Sequence, residues 1–450
     1  MFLTHNNFGD YMLNSIWETD CQLPKFKSLN NDISTDVLIV GGGIAGILCS
    51  YFLKNAGINS VIIDSNSIAN GVTKYTTAKI TSQHGLIYHK LLKKFGEEIA
   101  YLYWEANETA IENYRTLAKE IECDFEFRDN YIYSTKSEKN IAEEINALEK
   151  LNIPYEFTST TELPFDVKGA VKFRNQAQFN PYKFIKTIAK DLDIYENTRA
   201  KEFSDNTVIT DRGNIKAKKI IIATHFPIIN KHGFYFMKMF QHRSYVMALK
   251  NALILKGMYL DESSNGLSFR NYKDLLIVGG GGHHTGEKTN GWNDIKDFTT
   301  NNFKDSIVHA KWATQDCITL DGIPYIGRYS NSTKDLYVAT GFNKWGMTSS
   351  MVAGKVLCNI IMGNEDPLIN IYSPSRTILR KQLFINSGKA MKNLISIKKP
   401  KCPHLGCTLK WNKYERSWDC PCHGSRFSES GKLLNEPATN NLKIKFPNLY

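Results

Sequence analysis

Asp36–Val40 (DVLIV) is a continuous apolar run that leads straight into Gly41-Gly42-Gly43-Ile44-Ala45-Gly46, and no other feature restricts the fold so strongly. Strands apolar on both faces belong to parallel sheets covered by helices on both sides. Ile47–Asn55 then carries a helical pattern, and Ser60–Ile63 is a second strand ending at Asp64. Together these form a βαβ unit with G-x-G-x-x-G at 41, 43 and 46 and an acidic residue 18 positions after the last glycine. Gly41 permits the tight turn, Gly43 lets backbone approach a pyrophosphate, and Gly46 allows close helix packing, with Ile44 and Ala45 in the same loop. The helix N-terminus faces the negative phosphates, and Asp64 accepts a hydrogen bond from the adenosine ribose. This fingerprint alone does not choose between NAD and FAD.

At 450 residues the chain exceeds the roughly 100–200 of one domain, so at least two folding units are expected. Its 22% charged and 42% hydrophobic residues exclude a disordered or collagenous chain. Further on, Leu91–Ile121 is rich in helical pattern, and Asn180-Pro181 reads as an N-cap with proline at the first helical position, opening a helix through about Leu192. Thr207–Thr210 and Ile215–Ile222 pair around Asp211-Arg212-Gly213-Asn214, and the second strand delivers Ala223-Thr224 at its end. A strand Leu336–Ala339 meets Thr340-Gly341, followed by a helix over about Met347–Met362. Beyond Pro367 the composition turns basic and irregular, which places a boundary near residues 365–375.

Gly71–Gly85 (GVTKYTTAKITSQHG) is a polar loop shortly after the second strand, and with it the likeness becomes specific. The N-terminal 365 residues resemble the D-amino-acid-oxidase-type FAD-dependent oxidoreductases, which include glycine and sarcosine oxidases. The matching pieces are Gly41–Gly46, Asp64, the Thr-rich loop with Thr76 and Thr77, Ala223-Thr224, residues 321–327 (DGIPYIG), and Ala339-Thr340-Gly341-Phe342 with Gly346. The resemblance implies noncovalent FAD, with the last two segments closing over the flavin ring and ribityl chain. It departs where the family often has a serine- and arginine-rich loop, since this chain has Thr73, Thr76 and Thr77. His242, Arg243, Tyr245, Arg270, His283 and His284 fall in segments the family places near its substrate cavity, and Trp345 falls near the flavin. Each is also open to a plain fold-stabilising role, and no catalytic base is singled out.

Four of the nine cysteines cluster within 21 residues, in Cys402-Pro403-His404-Leu405-Gly406-Cys407 and Cys420-Pro421-Cys422-His423-Gly424-Ser425. Two thiolates and two imidazoles suit zinc as well as iron. The arrangement resembles the Rieske iron-sulfur proteins. That resemblance implies a [2Fe-2S] cluster with Cys402 and Cys420 on one iron, His404 and His423 on the other, and a Cys407–Cys422 disulfide bracing the loops. It also makes Ser425 a hydroxyl donor to cluster sulfur. Phe427 stands where high-potential members have tyrosine, so a middle-to-low potential is expected. Only 28 residues separate Ser373 from Cys402, so the module reads as abbreviated.

The expected architecture is an α/β FAD-binding Rossmann-type domain with an inserted α+β substrate domain, plus a small C-terminal all-β Rieske-like domain. Its divisions are an N-terminal extension over 1–33, the oxidoreductase over 34–365, a linker over 366–396 and the Rieske domain over 397–450. The combination resembles a bacterial class of fused FAD and Rieske oxidoreductases. That implies oxidation of a C–N bond in an amine or amino acid by hydride transfer to FAD, with the cluster carrying electrons onward one at a time. The alternatives are a reductase or oxygen-using flavoenzyme fed through the cluster, and a nonenzymatic redox sensor. Net charge is +11, and the residues from Ser373 onward carry 15 Lys and Arg against Glu415, Asp419, Glu429 and Glu436, so the surplus sits in the linker and the C-terminal module together. Such a module fits an acidic electron carrier of flavodoxin or ferredoxin type better than nucleic acid. No membrane span or secretory leader is expected, and the expected compartment is the cytoplasm.

Overall fold

The computed structural model describes residues 14–263, 266–376 and 400–443. Most of the linker expected over 366–396, the first 13 residues of the N-terminal extension and the last seven of the C-terminal module lie outside the described residues.

Strand Ile33–Val40 lies inside an eight-stranded sheet, parallel to Ser60–Ile63 on one side and to Asn214–Ile222 on the other. Val37, Leu38, Ile39 and Val40 are all buried, the two-sided burial that the DVLIV run implies. Leu336–Thr340 continues the parallel order beyond Asn214–Ile222, and Asp193–Tyr195 continues it beyond Ser60–Ile63. The strand starts at Ile33, three residues before Asp36. The following helix spans Ile44–Asn55 and so begins inside the glycine loop rather than at Ile47. Its first turn closes by Ile47 N–H donating to the Gly43 carbonyl at 3.0 Å, which aims the helix N-terminus out of the sheet edge.

Asn180 caps its helix as expected, its Oδ1 accepting from Tyr182 and Lys183 N–H at 2.9 and 3.1 Å. The α-helix ends at Ile188, and Ala189–Asp191 finishes as a tighter 3-10 turn short of Leu192. Thr207–Thr210 pairs antiparallel with Asn214–Ile222 around the expected turn. The segment before the first strand is part of the core, since Trp17 on helix Ile16–Asp20 is fully buried and donates from Nε1 to the Thr76 carbonyl at 2.9 Å.

A second, nine-stranded sheet forms the inserted α+β unit. At its centre Met239–Lys250 lies between Ile307–Thr319 and Leu275–His284, antiparallel to both. Side chains alternate across such strands. Val246, Ala248, Ile277 and Trp312 face the core shared with the first sheet, whereas Tyr245, Met247, Leu276 and Val278 face a second core with Trp292 and Ile295. The C-terminal module is a four-stranded antiparallel meander of Lys410–Asn412, Ser417–Asp419, Arg426–Ser428 and Leu433–Asn435. Its core is small: Leu409, Phe427, Ala438 and Leu442 pack directly on Cys402, Cys407 and Cys420.

The tightest backbone contact in the βαβ unit generates a test. A Cβ on Gly46 would stand 2.0 Å from the Gly41 carbonyl oxygen, and neither backbone can yield. Gly46→Ala is expected to lower stability by about 1–3 kcal/mol in denaturant titrations. Gly71→Ala, whose Cβ meets nothing within 4 Å, serves as the control and should leave the midpoint unchanged.

Candidate functional site

A cavity of about 1660 Å³ opens at the carboxyl ends of the parallel strands, between the two sheets and the C-terminal module. That exceeds the roughly 300–1,000 Å³ of ordinary small-molecule pockets and suits a dinucleotide together with a substrate. Gly41, Gly43, Ile44, Ala45, Asp64, Thr76, Thr77, Ala223, Thr224 and Gly346 line it, while Gly46 and Gly341 are packed behind its wall. Gly41 adopts φ +115°, and a Cβ there would lie 2.5 Å from the Ala223 carbonyl oxygen, so the strand ends meet only because the side chain is absent. Asp64 accepts from Gly42 N–H and Asn66 N–H, each at 2.8 Å, which orients the carboxylate at the end of its strand. Burial raises its pKa, and those two N–H donors oppose the rise. Thr73 Oγ1 accepts from Ile44 N–H at 3.1 Å, folding the Thr-rich loop over the helix N-terminus. A backbone cradle with donors at a helix start and an oriented acid fits FAD.

Trp345 lines the cavity and stacks on His84, ring centroids 4.9 Å apart at 13°. His84 is held by Tyr103 Oη at 2.6 Å and the Thr81 carbonyl at 2.8 Å, and burial pushes its pKa down to about 3. The sequence reasoning missed His84, whose only signal was its place in the polar loop. It also missed Lys79 in the same loop. Lys79 lines the cavity, donates from Nζ to the Tyr259 carbonyl at 2.8 Å, and is pulled to about 7 by burial and then by Arg270. Arg270 is buried behind it, with Nη1 donating to the Ala78 carbonyl and with Nε and Nη2 unpartnered. Burial pulls this guanidinium to about 9.

The remaining candidates differ in whether they reach the cavity. Arg243 and Tyr245 line the cavity. His242, His283 and His284 do not: His283 stacks on Tyr245, His284 stacks on Phe240, and burial followed by Lys344 drives His242 down to about 2. Asp316, opposite His242 in register, lines the cavity and is pushed up to about 6 by burial. Glu436 reaches the same cavity from the C-terminal module and is pushed up to about 7 by burial.

In the C-terminal module the two loops bring the four cysteines and two histidines together. The sulfurs of Cys407, Cys420 and Cys422 lie within 4.8 Å of one another, and Cys402 packs in the same small core as Cys420. Hydrogen bonds from Cys402, Cys407 and Cys422 hold the Cys420 thiol well below its ordinary pKa. The implied Cys407–Cys422 disulfide is corrected here: both are free thiols. Their sulfurs stand with that of Cys420 within 4.8 Å of one another, without the roughly 2.05 Å bond of a disulfide. His404 and His423 stand edge to face, centroids 4.9 Å apart, each with a buried Nδ1 that has no hydrogen-bond partner. Burial, then His423, pushes His404 down to about 4, so its imidazole is neutral. Two buried thiols and two orphaned imidazole nitrogens form a donor set that fits a [2Fe-2S] cluster of mixed ligation. Ser425 contacts the Cys402 thiol, and Phe427 packs against the cysteines with no exposed surface.

The module is fastened to the outer face of the second sheet. Gln241 and Gln315, on neighbouring strands, donate from Nε2 to the carbonyls of His423 and Gly424 at 3.0 and 2.9 Å. Arg243, two residues along on the face of Gln241, forms a two-pronged ion pair with Glu415, which also accepts from Arg426 at 2.9 Å. Arg426 in turn binds Asp419 at 2.9 Å, and all four side chains are at least nine-tenths buried. Sequence reasoning placed Arg243 near substrate, whereas the structure also gives it an anchoring contact.

Burial alone would raise the Glu415 carboxyl, yet Arg243 and Arg426 hold it at about 2, below its ordinary 4.5. A carboxyl depressed on folding stabilises the fold fully above its unfolded pKa, and that contribution is lost as pH falls from 4.5 toward 2. Glu415→Gln leaves two buried guanidiniums short of counter-charge and is expected to cost about 3–5 kcal/mol near neutrality. In melts taken at successively lower pH, wild type and variant should converge, and parallel acid profiles would refute this role for the pair.

Comparison with known proteins agrees with this geometry. The FAD dependent oxidoreductase family matches residues 36–360, and the Rieske [2Fe-2S] domain matches 372–446. YhfW of Bacillus subtilis (strain 168), described as a Rieske 2Fe-2S iron-sulfur protein, is 33% identical across 98% of this chain and 99% of its own length. Cytochrome b6-f complex iron-sulfur subunit 3 of Nostoc sp. is 49% identical over 43 residues, 10% of this chain and 24% of that subunit. Among solved structures, glycine oxidase from Geobacillus kaustophilus superposes with a TM-score of 0.65 at 16% identity, covering 77% of this chain and 99% of that one. L-proline dehydrogenase from P. horikoshii gives 0.64 at 17% identity, covering 78% and 98%. At such identities these two structures speak for the fold alone. The chain belongs to the FAD-dependent oxidoreductase family and is an oxidoreductase that carries a C-terminal Rieske [2Fe-2S] domain, so its cofactors are FAD and a [2Fe-2S] cluster.

Proposed function

We propose that the protein oxidises the C–N bond of an amino acid, with the released electrons carried onward through the Rieske module. The observation that carries this reading is the pair of cations Lys79, which lines the cavity, and Arg270, buried behind it, neither of which forms an ion pair among the described residues. A buried positive charge without a counter-ion is costly and favours an anionic ligand. A carboxylate seated toward Lys79 would place the neighbouring amine against the cavity that Trp345 and Tyr245 line. The glycine oxidase and L-proline dehydrogenase names of the structural neighbours support the same substrate class.

When bound, FAD supplies two-electron oxidation and the cluster one-electron transfer. The protein's own contribution is placement and dielectric. The burial that pulls Lys79 to about 7 acts in the same sense on a substrate ammonium, favouring the free amine whose lone pair assists loss of hydride from the adjacent carbon. Cys402, His404, Cys420 and His423 are proposed as the cluster ligands. Gly41, Gly43, Ile44, Ala45 and Asp64, with Thr76, Thr77, Ala223, Thr224 and Gly346, are proposed as the FAD contacts. Gly46 and Gly341 act behind them by close packing. The surplus of basic residues in the module is proposed to receive an acidic electron carrier, whose reduction should slow as salt is raised. Among the described residues no helix is long and apolar enough to cross a membrane.

Anaerobic mixing with a panel of amino acids and their decarboxylated amines tests the reading. At least one amino acid should bleach the flavin absorbance, and Lys79→Met should raise its KM about 10- to 100-fold while leaving the matching amine little affected. Bleaching by simple amines alone, with Lys79→Met indifferent, would refute a carboxylate-bearing substrate. In the module, Phe427→Tyr introduces a hydroxyl beside the cysteines and is expected to raise the cluster midpoint by tens of millivolts in a potentiometric titration.

A further inference from the structure

Asn230 belongs to the FAD-binding part of the chain, 174 residues before His404, yet its Oδ1 stands 3.0 Å from His404 Nε2. An amide oxygen only accepts, so the contact keeps the hydrogen on Nε2 and leaves the Nδ1 lone pair, buried and unpartnered, as the metal-binding atom. Phe236 meets both imidazoles edge-on, at 6.5 Å from His404 and 5.8 Å from His423. Gln241 and Gln315 grip the carbonyls of His423 and Gly424, and the buried Arg243–Glu415 pair holds the same face. The outer shell of the cluster site is therefore built from another domain.

We propose that Asn230 is a positioning residue for His404 and that docking against the FAD domain tunes the reduction potential of the cluster. The proposal rests on His404 being a ligand through Nδ1, as assigned above. An acceptor on Nε2–H increases the electron donation of the imidazole and so stabilises the oxidised, more positive cluster. Removing the acceptor makes reduction easier. Replacing it with a carboxylate, a stronger acceptor, makes reduction harder.

The test uses the full-length holoprotein, purified anaerobically, with electron paramagnetic resonance followed during a potentiometric titration. Asn230→Ala should keep the Rieske signal and raise its midpoint by about a tenfold change in the reduction equilibrium, about 59 mV for one electron. Asn230→Asp should move the midpoint below wild type, and the flavin midpoint should stay in place in both. Pulsed measurements should show a change in the nitrogen coupling of one imidazole and not the other. Cluster midpoints unchanged in both variants would overturn the proposal. If Asn230→Ala fails to fold or to load, Asn230→Asp and Asn230→Ser decide by the same criterion. His404→Ala separates the two levels of the argument: a surviving Rieske signal there would refute the ligand assignment itself.

Discussion

The buried chain of charges Arg243, Glu415, Arg426 and Asp419 is the constraint on which the two-module architecture depends. Four ionised groups taken out of water are tolerated only when each is matched, and here each carboxylate meets a guanidinium within hydrogen-bond reach. Arg243 comes from the second sheet and the other three from the C-terminal meander, so the match exists only when the modules are docked. Undocking would strand Arg243 on one side and leave Glu415 with Arg426 alone on the other. Buried charge thus specifies the orientation of the module more sharply than apolar area could.

That specification matters because the module has little core of its own. Its four short strands enclose Leu409, Phe427, Ala438 and Leu442 around the cysteines, far less than an independent domain of ordinary size buries. Metal ligation and docking supply what the apolar core does not. The sulfurs and imidazoles proposed as cluster ligands are the ones packed against Phe427 and Phe236, so on that assignment cofactor loading and folding of the module are coupled.

Much of this was legible in the chain, and for physical reasons. The DVLIV run, the glycine triplet and Asp64 are local features whose geometry is set within 30 residues, and they appear where expected, shifted by three residues at the strand start and at the helix start. The Asn180 cap was equally local. The cysteine and histidine loops were readable because ligand type and spacing carry the chemistry. What sequence could not supply were contacts across long separation. Arg243 gave no sign of Glu415, nor Asn230 of His404, because neither partner is implied by periodicity or motif. Lys79 and His84 sat in a loop already marked as polar, but their partners lie far along the chain, Tyr259 on a strand 180 residues away and Thr348 on a helix 264 residues away. The disulfide drawn from resemblance is replaced by free thiols, since spacing brings sulfurs together without fixing their bonding.

Docking also decides which edge of the module remains available. In the docked chain His423 is only 5% exposed, and His404 is engaged by Asn230 and Phe236, so the imidazole edge faces the FAD domain. A module fastened to the FAD domain has an effective concentration independent of protein concentration, so the proposed transfer between the two cofactors would need no diffusional encounter. The basic surplus of the module is proposed for a different meeting. Arg426 is neutralised inside by Glu415 and Asp419, while lysines such as Lys410 and Lys432 stay on the surface. An acidic carrier would therefore approach a face other than the imidazole edge. The module then has two functional sides, one built from directed hydrogen bonds and buried ion pairs toward its own chain, and one of exposed positive charge toward solvent.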